Sequence, residues 1–486
     1  MANNKDELFI FKNFDYTVSN LCKIMNIDEN VDINYKTFNI AGKKLCIFFI
    51  DGMIKDEILQ KILDFLCGLK DEELPDNTHD FISSMITYGE TDYTILKDKF
   101  VTAVLSGNVG LIVEGYNEGI LIDCRKYPAR GVEEPLKDKV LRGSRDGFVE
   151  TLVMNLALIR RRIRSTDFTC NILNVGEYSK TDIAICYMKN KADEKLVNRI
   201  KDNINNIKTD SLNMNQETLA ECLLRVDNNN NSKNQKIRKI FNKLNPFPKF
   251  KYSERPDTAA ASLMEGHIII LVDNSPAAMI LPTDIFDIVD EADDYYFPPI
   301  TGNYLRFARV IITIASFFLT PLYLLFSLNP ELLPGWLDFT MIKDEINVPV
   351  LLQLLILEIS IDGLKLAAVN TPEMLSTPLS VIAGLVIGDF AVSSGWFNSE
   401  TMLYMAFVAF AAFTNGSFEM GYAIKLHRIL TLFLVACFGI WGLIAGTLIC
   451  IISICLNKTV SETSYIYPII PLNLKELNKK IFRHSK

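Results

Sequence analysis

The stretch VPVLLQLLILEISIDGLKLAAV (348–369), the polar break NTPEMLS (370–376) and the run TPLSVIAGLVIGDFAVSSGWF (377–397) decide how the rest of the chain is read. Both long runs are apolar enough to lie in a bilayer, yet they carry Glu358, Asp362, Lys365 and Asp389. Ionisable groups at membrane depth are costly and face a bundle interior or a water-filled path. Glu358, Asp362 and Lys365 stand at i, i+4 and i+7, which puts them on one face of a helix. In the second run Gly384 and Gly388 give the small-xxx-small spacing that lets helices approach closely, and Asp389 follows at once. One expectation is the wall of an ion path, with Glu358 and Asp389 presenting carboxylates to cations and Lys365 pairing with Asp362 so that Glu358 stays free. The other is a structural charge pair that fixes helix packing.

Working outward, Val310–Leu328 is an uncharged run long enough for a hydrocarbon core of about 30 Å. Met402–Phe413 is a further run, and Tyr422–Leu456 holds either one long span or two that meet near Gly439–Gly446. Arg306 and Arg309 precede the first span, while Glu331, Asp338, Asp344 and Glu345 outnumber Lys343 after it. Lys/Arg excess marks the cytoplasmic side, so the N-terminal region is expected there. The same bias, applied to the tail lysines Lys475, Lys479 and Lys480 and to Arg483, favours six crossings over five. Pro468, Pro471 and the amphipathic Leu472–Phe482 predict a tail lying on the membrane face.

The 486 residues suffice for about three domains. The averages of 49% apolar and 22% charged residues hide two unlike halves, because residues 1–245 read as an ordinary soluble protein. A net charge of -8 argues against a nucleic-acid partner. Ten Cys include no CxxC pair, and His79, His267, His427 and His484 lack metal-ligand spacing, so neither metal nor cofactor is expected. The cysteines read as small core residues in a reducing compartment. SGNVG (106–110) lacks the Gly-Lys-Ser/Thr ending of a phosphate loop, and there is no nucleophile elbow, so the chain does not read as an enzyme. The N-terminus MANNKDELFIFKNFD is polar and acidic, with no cleavable apolar region. No internal repeat of the transporter kind is present.

The N-terminal region is expected to be α+β, with two αβ subdomains at 1–130 and 131–226. FDYTVSNLCKIMN (14–26) predicts a short helix, Leu45–Ile50 a buried strand, and Ile54–Leu69 a helix. FVTAVLSGNVGLIVEGYNEGILIDCR (100–125) predicts three strands in a meander, with turns at Gly107-Asn108 and Asn117–Gly119. Phe148–Ile163 predicts a helix with Phe148, Leu152, Leu156 and Ile159 on one stripe. It ends in Arg160, Arg161, Arg162 and Arg164, which are either a solvated basic face or a contact for anionic lipid or an acidic partner. FTCNILNVGEYSKTDIAICYMKN (168–190) predicts strand–turn–strand and ADEKLVNRIKDNINNI (192–207) a helix. An Asn-rich linker (227–245) separates these from a junction module (246–300). There Asp257 is the expected N-cap of a helix closed by Gly266, and His267–Asp273 and Ala277–Leu281 form a hairpin. Within it, Glu254, Arg255 and Asp257 form either an internal brace, with Arg255 paired to Asp257 or to a neighbouring carboxylate, or a gating link. The helical membrane domain is 301–456 and the tail 457–486.

Several long stretches carry a resemblance. RGSRDGFVETLVMNLALIRRRIRS (142–165), PFPKFKYSERPDTAAASLMEGHIIILVDNSPAAMILPT (246–283), DDYYFPPITGNYLRFAR (293–309), TPLSVIAGLVIGDFAVSSG (377–395) and YIYPIIPLN (465–473) resemble the A-subunit family of spore germinant receptors, the GerA family. YSERPDTAAA, the Glu-Gly-His before the strand and the Asn-Thr-Pro before the third span point to its sporulation branch. The resemblance implies a protein of the inner spore membrane that acts with partner membrane subunits. It also implies an oligomeric channel that releases ions at the onset of germination, the sporulation branch amplifying rather than sensing. It supplies no catalytic residues; conduction residues carry over to Gly384, Gly388 and Asp389.

Overall fold

The computed structural model describes residues 13–70, 73–86, 90–126, 138–212, 214–226, 245–340, 342, 345–370, 384, 390–414, 416–457, 459–460 and 464–481. The chain forms two compact units: residues 1–230 with 252–282, and residues 231–251 with 283–486.

The first unit opens with α1 (Phe14–Ile24), whose N-cap Asn13 accepts a hydrogen bond from Asp15 N. Then come β1 (Ile33–Ile40), β2 (Lys43–Ile50), α2 (Asp56–Cys67), α3 (Thr78–Met85), β3 (Thr91–Thr94), α4 (Lys97–Leu105), β4 (Val109–Val113) and β5 (Gly119–Ile122). The strands make an antiparallel sheet in the order β1-β2-β4-β5-β3. The expected meander is corrected here, because FVTAVL (100–105) is the last six residues of the nine-residue α4. β-branched residues favour a strand locally, but Phe100, Val101, Val104 and Leu105 share a helical face and are buried. The sheet is built to receive them. A Cβ at Gly110 would lie 2.5 Å from the Phe100 ring, and one at Gly119 2.6 Å from it.

The rest of this unit comprises α5 (Leu152–Arg162), β6 (Phe168–Val175), β7 (Thr181–Met188), α6 (Glu194–Asn205), α7 (Asn215–Val226), β8 (Lys251–Ser253), α8 (Pro256–Glu265), β9 (Ile268–Val272) and β10 (Ala278–Leu281). The sheet order is β6-β7-β9-β10-β8. The β9–β10 hairpin, set apart by sequence as part of a junction, is thus the middle of this sheet, paired antiparallel to β7 from Ile183↔Val272 to Cys186↔Ile269. Phe148 precedes α5 rather than starting it, since its N–H donates to Glu254 O at 2.8 Å. It still joins Leu152, Leu156 and Ile159 in one buried core. Asp257 is not the N-cap of α8: Arg255 holds that position, because Pro256 occupies the first helical turn with its φ already helical. Gly266 closes the helix at φ 99°, as expected. Residues 227–244 of the linker lie outside the described residues.

The second unit is helical. It contains α9 (Ile285–Val289), α10 (Asp293–Tyr296), α11 (Pro299–Leu328), α12 (Val350–Asn370), α13 (Ser399–Phe413), α14 (Phe418–Phe438), α15 (Ile440–Leu456) and α16 (Leu474–Ile481). Among the described residues, α11 and α14 are long and apolar enough to cross a membrane. Tyr422–Leu456 falls in two helices divided at Gly439 (φ 59°, ψ -131°). They fold back on each other. A Cβ at Gly442 would lie 2.0 Å from Leu434 O, and one at Gly446 2.4 Å from Thr431 Oγ1. Two glycines facing the partner helix are what so close an approach requires. Leu324, Leu354, Leu357, Met405, Leu432 and Val435 share a core across α11–α14. Of the 377–397 run, Gly388 and Asp389 lie outside the described residues, and Gly384 is exposed.

Candidate functional site

On α12, Glu358, Asp362 and Lys365 do share a face, and their partners come mainly from α14. Glu358 is 2% exposed and Arg428 5%. Arg428 Nε and Nη2 donate to Glu358 Oε1 at 2.8 and 2.5 Å, and Nη1 donates to Ser316 O of α11 at 3.1 Å. Lys425 Nζ lies 3.1 Å from Glu358 Oε2 and donates to Asp362 Oδ2 at 2.6 Å. Lys365 Nζ instead lies over the rings of Phe413 and Tyr422, at 4.9 and 6.0 Å from their centroids. The expected Lys365–Asp362 pair with a free Glu358 is therefore corrected. The neighbouring helix brings a guanidinium fork and an ammonium directly onto the two carboxylates, which satisfies charges that an apolar bundle cannot leave alone.

A cavity of about 40 Å³ lies beside Ser316, Glu358, Asp362, Lys365, Lys425 and Arg428. That is room for about one water. Three cations face two carboxylates, so the cluster bears no surplus negative charge. The sequence reading missed Lys425 and Arg428. Their signal was present: two cations three apart in an apolar run, one helical face that complements acids four apart on another.

A second buried charge cluster stands at the start of α11. Arg309 donates to Asp294 Oδ2 (2.9 Å), Glu291 Oε2 (2.9 Å) and Val289 O (2.8 Å). Arg306 Nε lies 2.9 Å from Asp290 Oδ1. Gly302 allows the close approach, since a Cβ there would lie 2.2 Å from Asp294 O. Lys251 Nζ donates to Asp287 O and, at 2.9 Å, to Asp290 O. Burial pushes Asp290 up to about 6, against the pull of Arg306 and Lys251. The two arginines that served above as a cytoplasmic marker are thus matched by acids, and their weight as free positive charge falls.

In the first unit, Arg255 is 2% exposed. It pairs with Asp257 Oδ2 at 2.6 Å, as the brace reading expects, and donates to Ser144 O at 2.8 Å and Asp138 O at 3.3 Å. Glu254 contributes its backbone: its N–H donates to Asp138 Oδ2 at 2.8 Å. The four-arginine run is not one basic face. Arg160 is fully buried, its Nε 2.9 Å from Asp32 Oδ2 and its guanidinium 4.4 Å from the centroid of Phe168. Arg162 Nη2 lies 3.0 Å from Asp146 Oδ2. Arg161 is part-exposed and 3.6 Å from the same carboxylate, and Arg164 is exposed. Successive residues of a helix point about 100° apart, so Arg160 turns to the buried side while Arg161 and Arg162 turn away from it, and Arg164 lies past the end of α5.

The sequence profile of the Bacillus/Clostridium GerA spore germination protein matches residues 21–486. Stage V sporulation protein AF of Bacillus subtilis (strain 168) is 35% identical over 463 residues, covering 95% of this chain and 90% of that protein. Spore germination protein A1 of the same organism is 27% identical over 477 residues, covering 96% and 94%. Spore germination protein GerLA of Bacillus cereus is 26% identical over 445 residues, covering 87% and 86%. The crystal structure of the N-terminal domain of the A subunit of the Bacillus megaterium spore germinant receptor GerK3 aligns with a TM-score of 0.40 at 24% identity, over 55% of this chain and 94% of that one. The profile spans nearly the whole chain, and this protein belongs to the GerA family of spore germination proteins.

Proposed function

We propose that this protein is a multi-pass protein of the inner spore membrane, with its N-terminal region in the cytoplasm. In this reading it is a subunit of a homo-oligomeric complex that releases cations when germination begins and amplifies it together with other membrane germination proteins. Membership of the GerA family and the apolar helices α11 and α14 support the membrane setting. Membrane lipid is a partner by the same token. One observation carries the role of the charged site: both carboxylate oxygens of Glu358 are held by cations from α14. The cluster is a clamp on which the conducting arrangement depends, not the lining of the path. Gly384, Gly388 and Asp389 remain the proposed path residues.

The test is potassium efflux from germinating spores. Glu358→Gln should abolish efflux while the protein still reaches the membrane, and the swap Glu358→Arg with Arg428→Glu should restore part of it. Efflux lost in the single variant and still lost in the swap, with the protein correctly inserted, returns Glu358 to the path. Asp389→Asn should alter efflux without altering insertion.

A second reading, a non-conducting scaffold that docks germination partners, is favoured by the lack of surplus negative charge in the cluster. Purified protein in liposomes separates the two, because a scaffold gives no ion flux in any oligomeric state.

A further inference from the structure

The C-terminal helix α16 has an unusual seat. Lys480 Nζ is bonded to Asp284 and lies 3.0 Å from Asp287 Oδ1. These two acids are the capping box of α9. Arg306, on α11, donates from Nη1 to the backbone carbonyl of Lys480 at 2.6 Å. A cation on the last carbonyls of a helix matches the negative end of its dipole. Both contacts fall in the last turn of α16. At its start Leu474 is 69% exposed, and Leu472 just before it 65%.

Eight residues make a helix about 12 Å long, and helices this short are not stable alone in water. The helical state of Leu474–Ile481 therefore depends on its seat. That seat includes an ion pair and a carbonyl contact, both at Lys480. The same Arg306 that holds the Lys480 carbonyl also pairs with Asp290 and reaches Tyr295 Oη at 3.4 Å. Tyr295 Oη in turn donates to Asp290 Oδ2 at 3.1 Å. A seated α16 and the charge cluster at the start of α11 thus share one guanidinium.

We infer that α16 is a detachable strap: Lys480 pins it to the Asp284–Asp287 turn, and while seated it holds Arg306 in place and so braces the first turns of α11. Release of the strap leaves Arg306 with one anchor fewer and loosens the N-terminal end of that helix. This device is independent of whether the protein conducts.

Burial lowers the Lys480 ammonium's preference for its charge, but Asp287 and Asp284 more than offset this and hold its pKa above the ordinary lysine value. The pin therefore stays charged at neutral pH.

Backbone hydrogen exchange of the full chain in detergent micelles at neutral pH tests this. Lys480→Gln should speed exchange of residues 474–481 at least tenfold and also speed exchange at the N-terminal end of α11 (299–310), leaving β7 and β9 unchanged. Lys480→Arg, which keeps the charge, should stay near wild type. A chain ending at Asn473 should reproduce the α11 effect, which covers the case in which Lys480→Gln perturbs folding. Unchanged exchange at 474–481 in Lys480→Gln overturns the pin. Faster exchange there with no change at 299–310, in that variant and in the truncation, overturns the bracing of α11.

Discussion

Removing one charge at a time from the buried cluster should give unequal costs, and the geometry fixes their order. Glu358 is gripped at Oε1 by Arg428 and at Oε2 by Lys425. In Arg428→Gln it keeps Lys425 at 3.1 Å, and the cluster becomes two acids against two lysines. In Glu358→Gln, Arg428 keeps its ion-pair position without its carboxylate and is left with Ser316 O at 3.1 Å. Three cations then face Asp362 alone.

An uncompensated buried charge costs about 3–5 kcal/mol, whereas loss of one charged hydrogen-bond partner with another retained costs about 1–3 kcal/mol. Polar pairs between helices in lipid run toward the lower end of such ranges. Glu358→Gln should therefore destabilise more than Arg428→Gln by about 1–2 kcal/mol. The double variant should cost less than the two summed. Reversible unfolding in mixed micelles by denaturing detergent, followed by helical circular dichroism, gives the three values. Equal costs, a reversed order, or single-variant costs within about 0.5 kcal/mol of zero would refute the reasoning, since that is how an exposed pair behaves.

Asp290 sets a pH dependence. Its folded pKa, about 6, lies above the ordinary 3.8, so the folded state binds the extra proton between those values. The associated stability is fully present below about pH 3.8 and lost as pH rises through about 6, an effect on the order of 3 kcal/mol; Asp290→Asn should flatten that part of the unfolding profile. Arg160→Ala leaves Asp32 buried without its guanidinium and should cost about 3–5 kcal/mol in thermal or denaturant unfolding, whereas Arg164→Ala should change stability by less than about 0.5 kcal/mol. Gly442→Ala puts a methyl where a backbone carbonyl lies 2.0 Å away and should cost about 1–3 kcal/mol or splay the α14–α15 hairpin, read as lost helix in micelles.

Much of the fold was legible because its signals are local. Gly266, the Lys43–Ile50 strand and the amphipathic face of Glu194–Asn205 each announce their element within a few residues. FVTAVL was misread because β-branched composition and helical spacing disagree there, and the arbiter is the pair Gly110 and Gly119 on strands that meet its Phe100. The site was half legible. Spacing put Glu358 and Asp362 on one face, but their partners lie 63 to 70 residues away on α14. Arg160 and Asp32, 128 residues apart, show the same limit. A charge run in one dimension cannot say which of its members turns inward.

The two buried clusters of the second unit obey one rule: each acid that enters the apolar interior meets a base from another element. Glu358 and Asp362 meet Arg428 and Lys425, and Asp290 and Asp294 meet Arg306 and Arg309. Cation paths need either unmatched negative charge or rings of backbone carbonyls. Neither cluster offers the first. Cation release by this unit, as proposed, then rests on Asp389 or on backbone carbonyls of the 377–397 run. Neutralising Asp389 and neutralising Glu358 should therefore differ in kind: the first changes which ions pass through an intact fold, and the second changes how much intact fold there is.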